Sequence, residues 1–175
     1  MFDEAAVRQA IRDVKDYPKP GIVFKDITPL LKDPKLFGSC MDELARLLED
    51  SEAEVDYIAG VESRGFIVAA ALADRMEKGI IPIRKKGKLP YKTVEMSYDL
   101  EYGSATIEVH EDAISKGQSV VVADDLLATG GTSSAAAQLV EKLGGKVSAF
   151  AFVIELGFLN GRKNLKGDAI SLIKY

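Results

Sequence analysis

The 175-residue chain has one cysteine, one histidine and no tryptophan. A lone Cys40 excludes an intrachain disulfide and leaves secretion unsupported. His110 and Cys40 are too few to form a His/Cys metal cluster. Long apolar runs are also missing. None approaches the roughly 20 residues of a membrane span, and the acidic, amphipathic N-terminus has no signal-peptide core. Positive charge is in short supply: 23 Lys and Arg stand against 27 Asp and Glu, a net charge of −4. That balance argues against nucleic acid as the main partner. A soluble, cytoplasmic protein is expected, with neither a nucleic-acid nor a membrane partner. The composition is 47% hydrophobic and free of low-complexity tracts. Such a length suits one domain with a sizeable core, so residues 1–175 are expected to fold as a single unit.

Val7, Ala10, Ile11 and Val14 recur at helical spacing and predict an N-terminal helix, ended by Pro18, Pro20 and Gly21. Asp33 then Pro34 reads as an N-cap and first helical position of a helix reaching about residue 49. Cys40 falls on its apolar side with Leu36, Phe37, Met41, Leu44 and Leu48, which makes it a core residue rather than a nucleophile. Short apolar strands are expected at 57–61 and 79–83, with an apolar helix over 65–77 between them. Residues 84–92 hold Arg84, Lys85, Lys86, Lys88 and Lys92, with Gly87 and Pro90, and read as a mobile basic loop. Residues 96–109 suggest an antiparallel excursion around a turn at Gly103. Strands at 119–123, 147–156 and 170–173, with a helix over 133–143, complete the pattern. Strands alternating with helices indicate an α/β fold with a mainly parallel central sheet flanked by helices.

The most informative stretch runs from 120 to 132. Val120, Val121, Val122 and Ala123 are a buried strand, and Asp124 and Asp125 follow where it ends. Ala128, Thr129, Gly130, Gly131 and Thr132 then turn into a helix. A glycine turn opening a helix offers free N–H groups and a positive dipole end to a phosphate. Thr129 and Thr132 add hydroxyls. The carboxylates repel a phosphate and suit either sugar hydroxyls or an accompanying cation. No lysine follows the glycines as a nucleotide P-loop requires. Glu62, Ser63, Arg64 and Gly65 form a second strand-to-helix turn. Two such turns in one sheet fit a sugar phosphate with phosphate groups at both ends.

Five blocks in this order resemble those of the type I phosphoribosyltransferases. They are Asp16-Tyr17-Pro18-Lys19-Pro20-Gly21-Ile22-Val23-Phe24-Lys25-Asp26-Ile27, Gly60-Val61-Glu62-Ser63-Arg64-Gly65-Phe66, Arg84-Lys85-Lys86-Gly87-Lys88-Leu89-Pro90, Ser97-Tyr98-Asp99-Leu100-Glu101-Tyr102-Gly103, and the 120–132 stretch. The form Leu126-Leu127-Ala128-Thr129-Gly130-Gly131-Thr132 is similar to the adenine branch of that family. The resemblance implies the type I phosphoribosyltransferase fold with a small N-terminal hood and a flexible lid. It implies that adenine and phosphoribosyl pyrophosphate give AMP and pyrophosphate in purine salvage, with Mg2+ held mainly by substrate oxygens and no protein metal cage, in a homodimer. By the same resemblance, Asp124 and Asp125 hold the ribose, and residues 128–132 cradle its 5-phosphate. Glu62, Ser63, Arg64 and Gly65 form the pyrophosphate loop, and Arg84 or Lys88 reaches pyrophosphate, within its own subunit or across a dimer interface. Val23, Phe24 and Leu127 flank adenine, the Lys25 main chain reads its edge, and Glu101 beside Tyr102 is the catalytic acid at N7. Relatives using other purines or orotate, or a sensor of the same ligand, are the alternatives.

Overall fold

The computed structural model describes residues 1–99 and 104–175. In chain order the elements are α1 (Glu4–Gln9), β1 (Arg12–Lys15), β2 (Val23–Asp26), α2 (Thr28–Lys32), α3 (Pro34–Asp50), β3 (Tyr57–Val61), α4 (Arg64–Arg75), β4 (Gly79–Lys85), β5 (Thr93–Asp99), β6 (Ser104–His110), β7 (Ser119–Leu127), α5 (Gly131–Lys142), β8 (Lys146–Glu155) and β9 (Ala169–Lys174). Two short 3-10 turns, Gly157–Leu159 and Gly161–Asn164, lie between β8 and β9. The main sheet has the order β5-β6-β4-β3-β7-β8-β9. β4, β3, β7, β8 and β9 run parallel, while β6 and β5 join antiparallel at one edge. β1 and β2 make a separate antiparallel pair, the hood.

Buried apolar side chains form a cluster on each side of the sheet. One joins α3 and α4 to the strands through Leu44, Leu48, Val68 and Leu72, and also receives Val7, Ile27 and Leu30 from the hood segment. The other joins α5 to the strands through Ala135, Leu139, Phe150 and Phe152. Cys40 lies fully inside the first, and burial pushes its thiol up to about 12, so it stays protonated and inert. The α4 helix comes very close to β3. A Cβ on Gly60 would stand 2.6 Å from the Ala69 Cβ, so glycine is required there, and the close approach sets the start of α4 beside the strand ends.

The fold departs from the sequence reading at three places. The N-terminal helix stops at Gln9, and Val14 sits on β1 opposite Phe24. Pairing with β2 outweighs a helical spacing that spans only two turns. The basic stretch 84–92 is not all loop: Arg84 and Lys85 end β4 and face Glu108 and Ile107 of β6. β7 continues to Leu127, so Asp124 and Asp125 lie within the strand, with Asp124 opposite Phe152 of β8.

The Asp33 carboxylate accepts from the amides of Lys35 at 3.0 Å and Leu36 at 3.1 Å, capping α3. Asp33→Ala is expected to cost about 1 kcal/mol of stability with unchanged turnover, as read by urea denaturation alongside an activity assay.

Candidate functional site

β3 and β7 are adjacent and parallel, and each releases a helix at its C-terminal end. Neither α4 nor α5 has its N-terminal amides satisfied by a side-chain cap. Two uncapped helix starts therefore open into one crevice, where an anion is favoured. Gly130 holds φ +82°, and a Cβ there would lie 2.4 Å from the Gly161 carbonyl oxygen. Glycine meets both demands. A cavity of about 540 Å³ is lined by Val61, Glu62, Ser63, Arg64, Lys85, Tyr98, Ala105, Ile107, Asp124, Asp125 and Thr132. A second, of about 210 Å³, follows the turn from Leu126 to Ser133. Arg64, Asp124, Asp125 and Thr132 line both.

The carboxylates are the shared wall. Asp124 Oδ1 accepts from the Asp125 amide at 2.8 Å. It also packs against the start of α4, since a Cβ on Gly65 would meet that oxygen at 2.7 Å. Asp125 is 3% exposed and pairs with the Arg64 guanidinium at 2.8 Å. Burial, reinforced by the neighbouring Asp125 charge, pushes Asp124 well above the usual carboxylate range. Burial raises Asp125 too, with Arg64 pulling the other way. Two adjacent acids held this way favour partners that donate hydrogen bonds or carry positive charge.

A basic rim is built on two further acids. Glu62 Oε2 accepts from Arg84 Nε and from the Lys85 amide, each at 3.0 Å. Arg84 also donates to the Lys88 carbonyl at 3.1 Å. Buried Glu108 accepts from the amides of Lys88 and Leu89, each at 2.9 Å, and from the Thr93 hydroxyl at 3.3 Å. Burial alone would raise Glu108, but the amides of Leu89, Gly87 and Lys88 outweigh it and hold the carboxyl below its ordinary value. The turn that follows β4 is thus wrapped around a carboxylate.

From the hood, the Phe24 ring lies under the Arg64 guanidinium at 4.8 Å and edge-on to Tyr17 at 5.3 Å. Val23 and Lys25 alternate away from it and line another cavity with Leu156, Phe158, Leu159 and Tyr175. Strand alternation thus sets Phe24 apart from Val23 and Lys25.

The phosphoribosyl transferase domain family matches residues 26–169. Over 170 residues the chain is 53% identical to the adenine phosphoribosyltransferase of Kosmotoga olearia, covering 97% of this chain and 99% of that one. It is 51% identical to the enzyme of the same name from Thermotoga neapolitana, with the same coverage. The chain belongs to the adenine phosphoribosyltransferase family. The crystal structure of the Thermoanaerobacter pseudethanolicus member superposes with a TM-score of 0.95 at 50% identity, covering 99% of this chain and all of that one. The Saccharomyces cerevisiae member, solved with an imino-altritol bisphosphate and adenine, gives 0.93 at 38% identity and 97% coverage of both chains.

Of the residues that the family resemblance singles out, Glu62, Ser63, Arg64, Asp124, Asp125 and Thr132 meet in the larger cavity. Ala128, Thr129, Gly130 and Gly131 line the smaller. Gly65 backs Asp124. Arg84 and Lys88 stay outside the lining of both, and the lysine that reaches the larger cavity is Lys85. Leu127 also lines the smaller cavity. Its side chain is 1% exposed in the cluster under α5, away from the hood, whereas Leu126 packs against the hood-side cluster. Glu101 and Tyr102 lie outside the described residues. Tyr98 was missed: its hydroxyl accepts from Thr132 at 3.1 Å, and only the register of β5 could have shown it facing the site.

The Asp124 shift has a consequence for stability. An unfolded aspartate titrates near 4, and the folded one titrates higher. This group therefore favours folding most at low pH, and its contribution is lost as pH rises through the raised value. Asp124→Asn removes the loss. Thermal melts of ligand-free protein between about pH 5 and pH 8 should show the variant gaining stability relative to the parent as pH rises. A constant difference across that window would contradict the shift.

Proposed function

We propose that the chain transfers the phosphoribosyl group of phosphoribosyl pyrophosphate to adenine, giving AMP and pyrophosphate in purine salvage. The observation that carries this reading is the pair of helix-start cavities sharing one wall of buried carboxylates. Such a crevice suits a ligand with a phosphate at each end and hydroxyls between. Residues 128–132 take the 5-phosphate on main-chain amides. Asp124 and Asp125 accept hydrogen bonds from the ribose 2- and 3-hydroxyls. Glu62, Ser63, Arg64 and Gly65 receive the pyrophosphate, and Lys85 adds positive charge on the same cavity.

The reaction is a displacement at the anomeric carbon. Adenine N9 forms the new bond as the bond to the pyrophosphate oxygen breaks, and the N9 proton is released to water. Negative charge grows on the departing pyrophosphate, and fixed donors aimed at it stabilise the transition state more than the ground state. Holding both reactants in line supplies much of the remaining acceleration. Mg2+, bound to substrate oxygens, would neutralise part of the pyrophosphate charge. Among the described residues no three acids, histidines or cysteines gather to hold a metal. The adjacent Asp124 and Asp125 suit contact through its water shell.

For the base, the Phe24 ring offers a flat apolar face, with Leu126 on the hood side in place of Leu127. Main-chain groups at Val23 and Lys25 would read the adenine edge, and a 6-oxo purine would leave a buried donor or acceptor unpaired. The family resemblance gives Glu101 and Tyr102 the role at N7. A homodimer belongs to the same reading, as does a cytoplasmic location. The Lys88 side chain is exposed, as a role toward a second subunit's pyrophosphate would require. Among the described residues no helix is long and apolar enough to cross a membrane.

Labelled adenine, guanine and hypoxanthine, each supplied with phosphoribosyl pyrophosphate and Mg2+, test the reading; AMP should form and the 6-oxo purines should react far more slowly. A chain that binds the sugar phosphate but turns over none of the three would instead be a sensor. Asp124→Asn with Asp125→Asn should lower turnover by orders of magnitude while the protein stays folded. Glu101→Leu should lower kcat by about 10²–10⁴-fold with the affinity for phosphoribosyl pyrophosphate near normal, as measured by steady-state kinetics and calorimetry. A wild-type kcat in Glu101→Leu would remove Glu101 from the chemistry.

A further inference from the structure

The smaller cavity is walled by the turn from Ala128 to Gly131, and that turn is itself held from behind. The 3-10 turn Gly161–Asn164 lies against it. Asn164 Nδ2 donates to the Thr129 carbonyl at 2.7 Å. Gly161 sits so close that a Cβ on it would stand 2.2 Å from the Ala128 carbonyl oxygen. A Cβ on Gly130 would in turn meet the Gly161 carbonyl at 2.4 Å.

The peptide unit is planar and trans, so its N–H points opposite its C=O. A carbonyl held on one side therefore aims the next amide to the other side. With the Ala128 carbonyl directed at Gly161, the Thr129 N–H faces away from that turn. With the Thr129 carbonyl bonded to Asn164, so does the Gly130 N–H. Both amides are then presented to the cavity, ahead of the uncapped start of α5.

The backing turn is anchored in its own right. Arg162 donates to both Glu155 oxygens, at 2.9 and 2.7 Å, and to the Ala169 carbonyl and the Ser171 hydroxyl. The Arg162 hydrogen bond is the main cause that holds Glu155 down to about 2, so this anchor stays charged throughout the working range of pH. Lys174 lies 3.7 Å from the same carboxylate.

We propose that the Gly161–Asn164 turn is an orienting clamp for the phosphate cradle, with Asn164 as its positioning residue. The clamp sets the aim of the Thr129 and Gly130 amides before a phosphomonoester arrives. It rests on the reading of residues 128–132 as the 5-phosphate site, and adds a residue that touches no substrate.

Two ligands separate the ends of the site: ribose 5-phosphate for the cradle and Mg2+-pyrophosphate for the loop at Glu62. Calorimetry on the parent protein, Asn164→Ala and Asn164→Asp should give a selective result. Asn164→Ala is expected to weaken ribose 5-phosphate by about tenfold, the worth of about one oriented hydrogen bond, with pyrophosphate affinity and KM for adenine unchanged and the melting temperature lowered by no more than about 4 °C. KM for phosphoribosyl pyrophosphate should rise by a similar factor. Asn164→Asp keeps the volume, loses the donor and brings a negative charge to the cradle, so its loss should be larger. Unchanged ribose 5-phosphate affinity in both variants would overturn the clamp, and so would an equal loss of both ligands, which marks general loosening. Failure of the parent protein to bind ribose 5-phosphate would instead strike the cradle assignment itself.

Discussion

Arg64 is the contact on which the site depends. Its guanidinium pairs with buried Asp125 at 2.8 Å and covers the Phe24 ring at 4.8 Å. One side chain thereby joins the start of α4, the end of β7 and the hood. The join works because the backbone on either side is bare. Gly60 lets α4 settle on β3, and Gly65 lets the Asp124 carboxylate reach the first turn of that helix. A methyl group at either position would push helix and strand apart, and the carboxylates would lose the cation set against them. An ion pair partly open to the crevice contributes little to stability by itself. Its value is positional: it places positive charge where an anionic ligand arrives, next to acids that such a ligand's phosphates would otherwise avoid.

Much of this was legible along the chain because the cues are local. A β-branched run, two acids, a glycine turn and a helical pattern within 120–143 mark a strand-to-helix anion site wherever they occur. Asp33 followed by Pro34 marks a helix start for the same reason. Features that depend on distant partners were not legible. Val14 has helical spacing with Val7, yet it joins a strand because Phe24 pairs with it. Arg84 and Lys85 read as loop from charge and a nearby glycine, while the strand is sustained by Glu108 across the ladder. Leu126 and Leu127 are indistinguishable in a run buried on both faces, where alternation carries no signal; their clusters differ only in three dimensions. Gly161 and Asn164 sit in a segment without periodicity, and their partners lie more than thirty residues earlier.

Three buried acids show how the fold separates structural carboxylates from functional ones. Glu108, Glu155 and Asp125 are each 3% exposed, so burial alone does not distinguish them. Glu108 is surrounded by amides and a hydroxyl, and Glu155 by Arg162, Ser171 and Lys174; both are held below the ordinary range. Their accepting capacity is met within the protein, and each fixes a turn beside the crevice. Asp125 and its neighbour Asp124 are shifted the opposite way. For Asp124 the Asp125 amide and the more distant Arg64 charge do not offset burial and the like charge beside it, and for Asp125 neither Arg64 nor its bonds to Asp124 and the main chain offset its burial. Acids left under-satisfied at the wall of a cavity are the ones with capacity for a ligand. Donors from a sugar would supply what the protein withholds, so substrate binding relieves a cost built into the free site. The two satisfied acids, Glu108 and Glu155, instead spend their hydrogen bonds on the turns that flank the site.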